Sequence, residues 1–366
     1  MSWEVRTLNP DDTAWEEVLE RIPHDIYHTR AYHRFVSALE GGKPVAVHLT
    51  DGRREALVPY LVRDIPVVGQ GGAEATARDA ISVYGYTGVL SPNPIPPSAT
   101  RGLVAALQEP LRRQAVISLF ARQHPLFGGF GADGGEAGEE RPAGFAVNRL
   151  GDVVIMRLGR DEEAVWSDIR ARVRTDIRGL ERDGYRVVID DWSRYDDFVR
   201  VYLDNMRRVD AAAYYYFSDR YFAELRTFLP GSVGLATMVG PEGDTAAAMV
   251  FFRHGDTLTY HLGGTSGAHL DRSPMKGLFW GVARWGREAG YGVLQLGGGV
   301  GGHNDSLFRF KRQFSKDRAP FRVVKLIADR AAYDRLSGGS DAGAALEPGR
   351  FFPPYRAPTE DSDADS

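Results

Sequence analysis

The chain has 366 residues, 43% of them hydrophobic, and a formal net charge of -4. That is apolar material enough for two ordinary domains, with no overall basic field to recruit nucleic acid, so such a partner would need a local patch. The absence of cysteine excludes disulfides, thiol nucleophiles and cysteine zinc sites. The polar start MSWEVRTLNPDD carries no apolar targeting core, and no apolar run reaches the ~18 residues of a membrane span, so a cytoplasmic protein is the expectation.

In chain order, the segment from Trp3 reads as a strand followed by helices Thr13 to Arg21 and Ala31 to Glu40. Val45 to Leu49 and Ala56 to Val62 are strand-like runs on either side of Asp51-Gly52, the pattern of a hairpin. Val83 to Val89 is aromatic and Gly-rich. Ser91 to Thr100, with four prolines, is expected to be a loop. Helix Arg101 to Gln114 and strand Ala115 to Phe120 follow, then a Gly-rich loop from Gly128 to Gly138.

The pattern then restarts. Val153 to Arg157 is a strand. Glu162 to Arg182 is a single predicted helix, with Val165, Trp166, Ile169, Val173, Ile177 and Leu180 at helical spacing and Gly184 ending it. Arg186 to Ile189 is a strand; Tyr195 to Arg207 and Asp219 to Phe228 are helices. Ser232 to Val239, Ala246 to Phe252 and Leu258 to Leu262 read as antiparallel strands turning at Gly243 and Gly255. Helix Met275 to Glu288, strand Tyr291 to Leu296 and strand Phe321 to Ile327 complete the regular elements, and from Gly338 the composition predicts a mobile end. Each half is thus of α+β order, not continuous βαβ.

Several positions carry chemistry. Arg170, Arg174, Arg178 and Arg182 recur every four residues and line one helix face, a stripe able to track phosphates. In Phe308-Arg-Phe-Lys-Arg-Gln-Phe314, Lys311 is a cation able to stabilise an oxyanion; if the segment is extended, it points away from Phe308, Phe310 and Arg312. Asp305 is the acid near it in sequence. Tyr84 and Tyr86 flank Gly85 and would share one face of a strand, with Gly85 and Gly88 leaving room for a ligand. Arg34 and Arg122 are candidate anion anchors; His124 has the chemistry of a base but fits a structural role better. The Gly297 to Gly302 loop lacks the P-loop Lys-Ser/Thr and opens no G-x-G-x-x-G helix. No H-E-x-x-H or G-x-S-x-G element occurs, so neither a metal nor a serine triad is expected.

Seven stretches in order resemble the Fem family and the wider FemAB-like GNAT group: Ile26 to Phe35, Asp79-Ala-Ile-Ser-Val-Tyr-Gly-Tyr-Thr-Gly88, Arg122-Gln-His-Pro-Leu126, the basic helix Asp168 to Gly184, Tyr260-His-Leu-Gly-Gly264, Leu296-Gly-Gly-Gly299 and Ser306-Leu-Phe-Arg-Phe-Lys-Arg-Gln-Phe314. The resemblance implies two tandem GNAT-like lobes with mixed central sheets: 1–150 on the acceptor side, completed by 318–350; 151–317 on the donor side; and a mobile tail 351–366. It implies an aminoacyltransferase that uses aminoacyl-tRNA as co-substrate, with no further cofactor, and a small-molecule amine or peptidoglycan precursor as acceptor. Lys311 and Asp305 would then serve catalysis. Arg34, Tyr84, Tyr86, Arg122, Tyr216 and Tyr260 would hold substrate, and Arg170, Arg174, Arg178 and Arg312 the tRNA. No heptads support a coiled-coil arm, and a monomer is expected. Where members acting on peptidoglycan place an Arg before a Tyr-Phe pair, this chain has Tyr214-Tyr-Tyr-Phe217, which favours a smaller or less charged acceptor. The alternative is an acyl-CoA-dependent GNAT N-acyltransferase; Asp271 to Gly277 keeps Arg272 and Gly277 of a CoA turn but not its spacing.

Overall fold

The computed structural model describes residues 2–65, 77–131, 142–338 and 341–357. Its elements are β1 (Glu4–Leu8), α1 (Ala14–Leu19), α2 (Arg30–Glu40), β2 (Lys43–Thr50), β3 (Glu55–Asp64), β4 (Arg78–Ile81), α3 (Pro97–Arg113), β5 (Val116–Gln123) and β6 (Phe145–Arg157). There follow α4 (Glu162–Asp168), α5 (Ala171–Arg182), β7 (Arg186–Ile189), α6 (Tyr195–Arg208), α7 (Asp219–Phe228), β8 (Val233–Val239), β9 (Thr245–His254), β10 (Thr257–Thr265), α8 (Met275–Glu288), β11 (Val293–Gly297), α9 (Ser306–Lys311), β12 (Arg318–Ile327), α10 (Arg330–Leu336) and α11 (Ala342–Leu346). The chain divides into two compact units, 1–150 with 320–366, and 151–319. Among the described residues no helix is long and apolar enough to cross a membrane.

Unit 1 is built on the strand order β1-β2-β3-β4-β5-β12. β2 and β3 form the expected hairpin, β4 runs parallel to β5, and β12 pairs antiparallel to β5 from Arg322↔Gln123 to Ile327↔Ser118. α3 lays Leu103, Val104, Leu107 and Leu111 on Val47, Val58, Tyr60 and Leu119. It begins a turn earlier than the proline run suggested, because Pro97 and Ser98 occupy its first turn, where a missing N–H and a preset φ are no handicap. The region around 342–357, expected to be mobile, is packed as far as it is described. Lys325 donates to the carbonyls of Ala345, Glu347 and Arg350 at 2.8–3.0 Å, and Phe352 stacks on the buried Tyr333. The fully buried carboxylate of Asp79 takes paired hydrogen bonds from both Arg63 and Arg356. Residues 132–138 of the Gly-rich loop and 358–366 of the tail lie outside the described residues.

In unit 2 the strand order is β6-β11-β10-β9-β8-β7, all neighbours antiparallel except the parallel pair β10 and β11. α5 and α8 cover one face, where Val173, Ile177, Leu278 and Val282 meet Met249, Phe251, Leu258, Leu294 and Leu296. α6 packs on β9 and β10 from the other side, where the α7 residue Tyr221 bonds His261 of β10. The single helix read over Glu162 to Arg182 is two. Ile169 and Arg170 are extended at ψ 133° and 138°, and the Arg170 N–H leaves the helical pattern to donate to the Gln313 carbonyl at 2.9 Å.

Candidate active site

The site of unit 2 forms where its sheet opens. β10 and β11 pair in parallel through Thr257↔Val293, Leu258↔Leu294 and Thr259↔Gln295, and no further. Just past that last pair both strands are irregular. β10 slips register against β9 between Tyr260 and Leu262, and β11 slips against β6 between Gln295 and Gly297. Bulges of this kind re-aim side chains and end pairing; here they separate neighbouring strands at one level.

The Gly-rich turn after β11 leads to α9. Gly297 turns at φ 78°, a left-handed value that favours glycine, and a Cβ on Gly298 would lie 2.9 Å from the Asp152 carbonyl. Asp305 is the N-cap of α9: one carboxylate oxygen accepts from the Phe308 N–H and the other from the Val300 N–H, both at 2.8 Å. Because Asp305 nucleates a helix, Phe308 to Phe314 is not extended. Phe310 and Phe314 pack against Phe279 of α8, at centroid distances of 5.9 and 5.2 Å. That packing turns Lys311 inward, where it is 5% exposed.

The Lys311 ammonium donates to the Gly298 carbonyl at 2.9 Å and lies 5.1 Å from the centre of the Tyr260 ring. Burial lowers its pKa from the ordinary lysine value to about 8, and the Asp305 charge acts in the opposite direction. Asp305, expected to orient Lys311 or take a proton, uses both oxygens on backbone N–H groups. It reaches Lys311 through its charge and by placing the helix. The Tyr260 ring packs edge-on to Phe279 at 5.2 Å, and burial pushes its phenol pKa up. Burial likewise raises the Tyr202 phenol, with smaller contributions from Tyr260, Tyr215 and Tyr216; these tyrosines are therefore electrostatic neighbours. The Tyr202 hydroxyl donates to the Tyr215 carbonyl at 2.7 Å, while Tyr214 and Tyr216 are exposed at the surface.

Four of the expected cations divide into two sets. Arg170, at the N-terminus of α5, and Arg312, at the C-terminus of α9, both act on the charge of Arg318, whose pKa is lowered first by burial and then by Arg312. Arg318 holds the turn together by donating to the carbonyls of Arg312, Ser315 and Asp317. Arg174 and Arg178 continue along α5 on the flank of its buried stripe Val173, Ile177 and Leu180, with Arg178 lying over Trp166 at 5.3 Å. The sequence reading missed Arg318, Gly298 as the partner of Lys311, and Tyr202. Of these, the Gly run alone carried a visible signal.

The remaining expected residues belong to unit 1. Tyr84 and Tyr86 do not share a strand face; they lie in an irregular turn because Gly85 and Gly88 have φ 107° and 58°. The space at Gly85 is filled by the Tyr27 ring, 2.3 Å from where a Cβ would stand, and that at Gly88 by Gln123, so neither is left for a ligand. Tyr86 meets His124 edge-on at 6.1 Å. His124 donates through Nε2 to the buried Asp25 carboxylate at 3.0 Å, while its Nδ1 accepts from the Leu126 N–H, and His28 donates to the Thr87 carbonyl at 2.8 Å. Burial alone would raise the Asp25 pKa, but the hydrogen bond and charge of His124 bring it below the usual value. Arg122 is half-buried beside Phe120 at 5.5 Å. Arg34 is exposed and bonds Asp11 and the Pro10 carbonyl.

Residues 167–312 match the family model described as an acetyltransferase (GNAT) domain. No curated protein sequence matches the chain. Among solved structures the chain is similar to FemX, with TM-score 0.66 and 12% identity over 91% of this chain and 99% of that one. It is also similar to the C-terminal domain assigned to a lysylphosphatidylglycerol synthetase from Agrobacterium fabrum, with TM-score 0.51 and 16% identity over 91% and 93%. A third likeness, to L-PGS from Bacillus licheniformis, has TM-score 0.50 and 15% identity over 88% and 93%. Residues 167–312 thus match a GNAT-type acetyltransferase domain, and the chain as a whole has a Fem-like fold.

Proposed function

We propose that the protein moves an amino acid from aminoacyl-tRNA to the amine of a small-molecule or peptidoglycan-precursor acceptor, forming an amide, in the cytoplasm and as a monomer. The observation that carries this reading is Lys311: a nearly buried cation, held by the Gly298 carbonyl and the Tyr260 ring, at the level where β10 and β11 separate. The acceptor nitrogen attacks the ester carbonyl carbon and the carbonyl oxygen takes up negative charge, which Lys311 stabilises. The new C–N bond is retained as the ester C–O bond breaks. The ribose oxygen leaves with a proton given up by the amine. No covalent enzyme intermediate is needed, which suits a chain without cysteine. Arg170, Arg174, Arg178 and Arg312 are the phosphate contacts and unit 2 the donor side. Unit 1 is the acceptor side, with Arg34, Tyr84, Tyr86 and Arg122 its contacts. In unit 2, Tyr260 is a contact on the donor side, and Tyr216, within Tyr214 to Phe217, favours an acceptor smaller or less charged than a nucleotide-linked precursor.

The competing donor is acyl-CoA, which the acetyltransferase description of the matching domain favours. Against it stand the cations before and within the first turn of α8, where a pyrophosphate would be expected to bind. Arg272 is ion-paired with Asp183, and Lys276 donates to Asp176 at 2.7 Å. To test the reading, purified protein would be incubated with charged tRNA bearing each labelled amino acid in turn, or with labelled acetyl-CoA, over a mixture of small amines and cell-wall precursors. RNase-sensitive transfer of one amino acid, lost in Lys311→Ala, is the expected result. Transfer from acetyl-CoA that ignores RNase would overturn it.

A further inference from the structure

Gln295 is the last residue of β11 still paired with β10, opposite Thr259, and Gly298, the partner of Lys311, lies three residues on. Leu294 and Leu296 on either side of it belong to the α5–α8 core, so Gln295 faces the other side of the sheet. Its side chain is 0% exposed, and among the described residues neither its Nε2 nor its Oε1 has a hydrogen-bond partner. A buried amide with both ends unsatisfied weakens the fold. Every neighbour on its strand is apolar or glycine, and methionine would fill the same space without the penalty. Such a conflict between local stability and residue choice is expected at functional positions. The two irregularities, at His261 and Leu296, lie just past the last β10–β11 pair, where these strands stop pairing.

We propose that Gln295 binds the α-amino-ester end of the acyl donor, accepting from the α-ammonium through Oε1 and donating to the ester carbonyl through Nε2. The chemistry follows from the side chain: a carboxamide offers one acceptor and one donor a fixed distance apart, and an α-amino ester offers the complement. A plain acyl group supplies half of it. The inference rests on the aminoacyl reading above and narrows it: the site selects donors by their free α-amine.

The test uses the full-length protein and two probes, an adenosine carrying an amino acid on a 3′ amide nitrogen and the matching compound without the α-amine. Calorimetry on the wild type is expected to show the first bound about tenfold or more tightly. In Gln295→Met that ratio is expected to collapse to about one, while the melting temperature rises by about 2 °C or more. A Gln295→Met protein that keeps the ratio, or that melts lower than the wild type, overturns the proposal, because the amide is then held structurally. If the wild type transfers amino acids from tRNA yet binds both probes equally, the inference fails and the donor reading stands. If it transfers no amino acid and binds neither probe, both fall.

Discussion

At the scale of single residues, Lys311 shows why a motif position and the environment of its side chain are different things. Its identity and neighbours were plain in the sequence; its burial was not, because that depends on Phe310 and Phe314 packing on Phe279 from a helix distant in sequence. Replacing Lys311 with methionine is expected to lower kcat by roughly 10²-fold or more if the cation stabilises the oxyanion. The same change should stabilise the fold by on the order of 1–3 kcal/mol near pH 7, since a buried cation is removed. Chemical denaturation of both proteins checks this. The sign follows from linkage. With a folded pKa of about 8 against an ordinary 10.5, the unfolded chain binds more protons between those values. The wild type should therefore gain stability as pH rises through that window, and the advantage of Lys311→Met should shrink. A pH-rate profile should fall above about pH 8 in the wild type as the ammonium is lost, and stay flat there in a weakly active Lys311→Arg.

At the scale of elements, local rules located most helices and strands, and they failed where a tertiary hydrogen bond competed. The α4–α5 break is the clearest case: the apolar spacing runs through Ile169, but the Gln313 carbonyl draws the Arg170 N–H out of the helix. α9 is another, where an Asp cap outweighs the strand reading of alternating phenylalanines. Removing that cap in Asp305→Ala is expected to cost about 1 kcal/mol. It should also speed amide exchange in α9 and lower kcat by letting Lys311 drift, while Asp305→Asn, which keeps an N-cap oxygen, recovers most of both. The α5 stripe has a separate signature. On the proposed aminoacyl-tRNA reading, Arg170, Arg174 and Arg178 changed together to Gln should raise KM for tRNA with kcat little altered. Each phosphate that is no longer neutralised should reduce the salt slope of log K by about 0.7–0.9.

At the scale of the whole molecule, residues far apart in sequence are joined by a few buried polar ties. Asp79 is one: it belongs to a stretch read as part of a family motif, yet in the fold it is the shared anion of Arg63 and Arg356, 277 residues from the latter. Asp79→Asn strips two guanidinium groups of their partner and is expected to destabilise by about 3–5 kcal/mol. Hydrogen exchange should show the 341–357 segment opening first. By itself the sequence determined the α+β class and the β2–β3 hairpin, because apolar periodicity and turn chemistry are local properties. Only the tertiary structure decided that Tyr84 and Tyr86 leave the sheet, that Arg272 and Lys276 are neutralised by acids around α5, and that Gln295 sits unsatisfied where β10 and β11 separate. Those outcomes depend on which backbone and side-chain groups arrive beside one another from distant segments, and no spacing rule along the chain encodes that encounter.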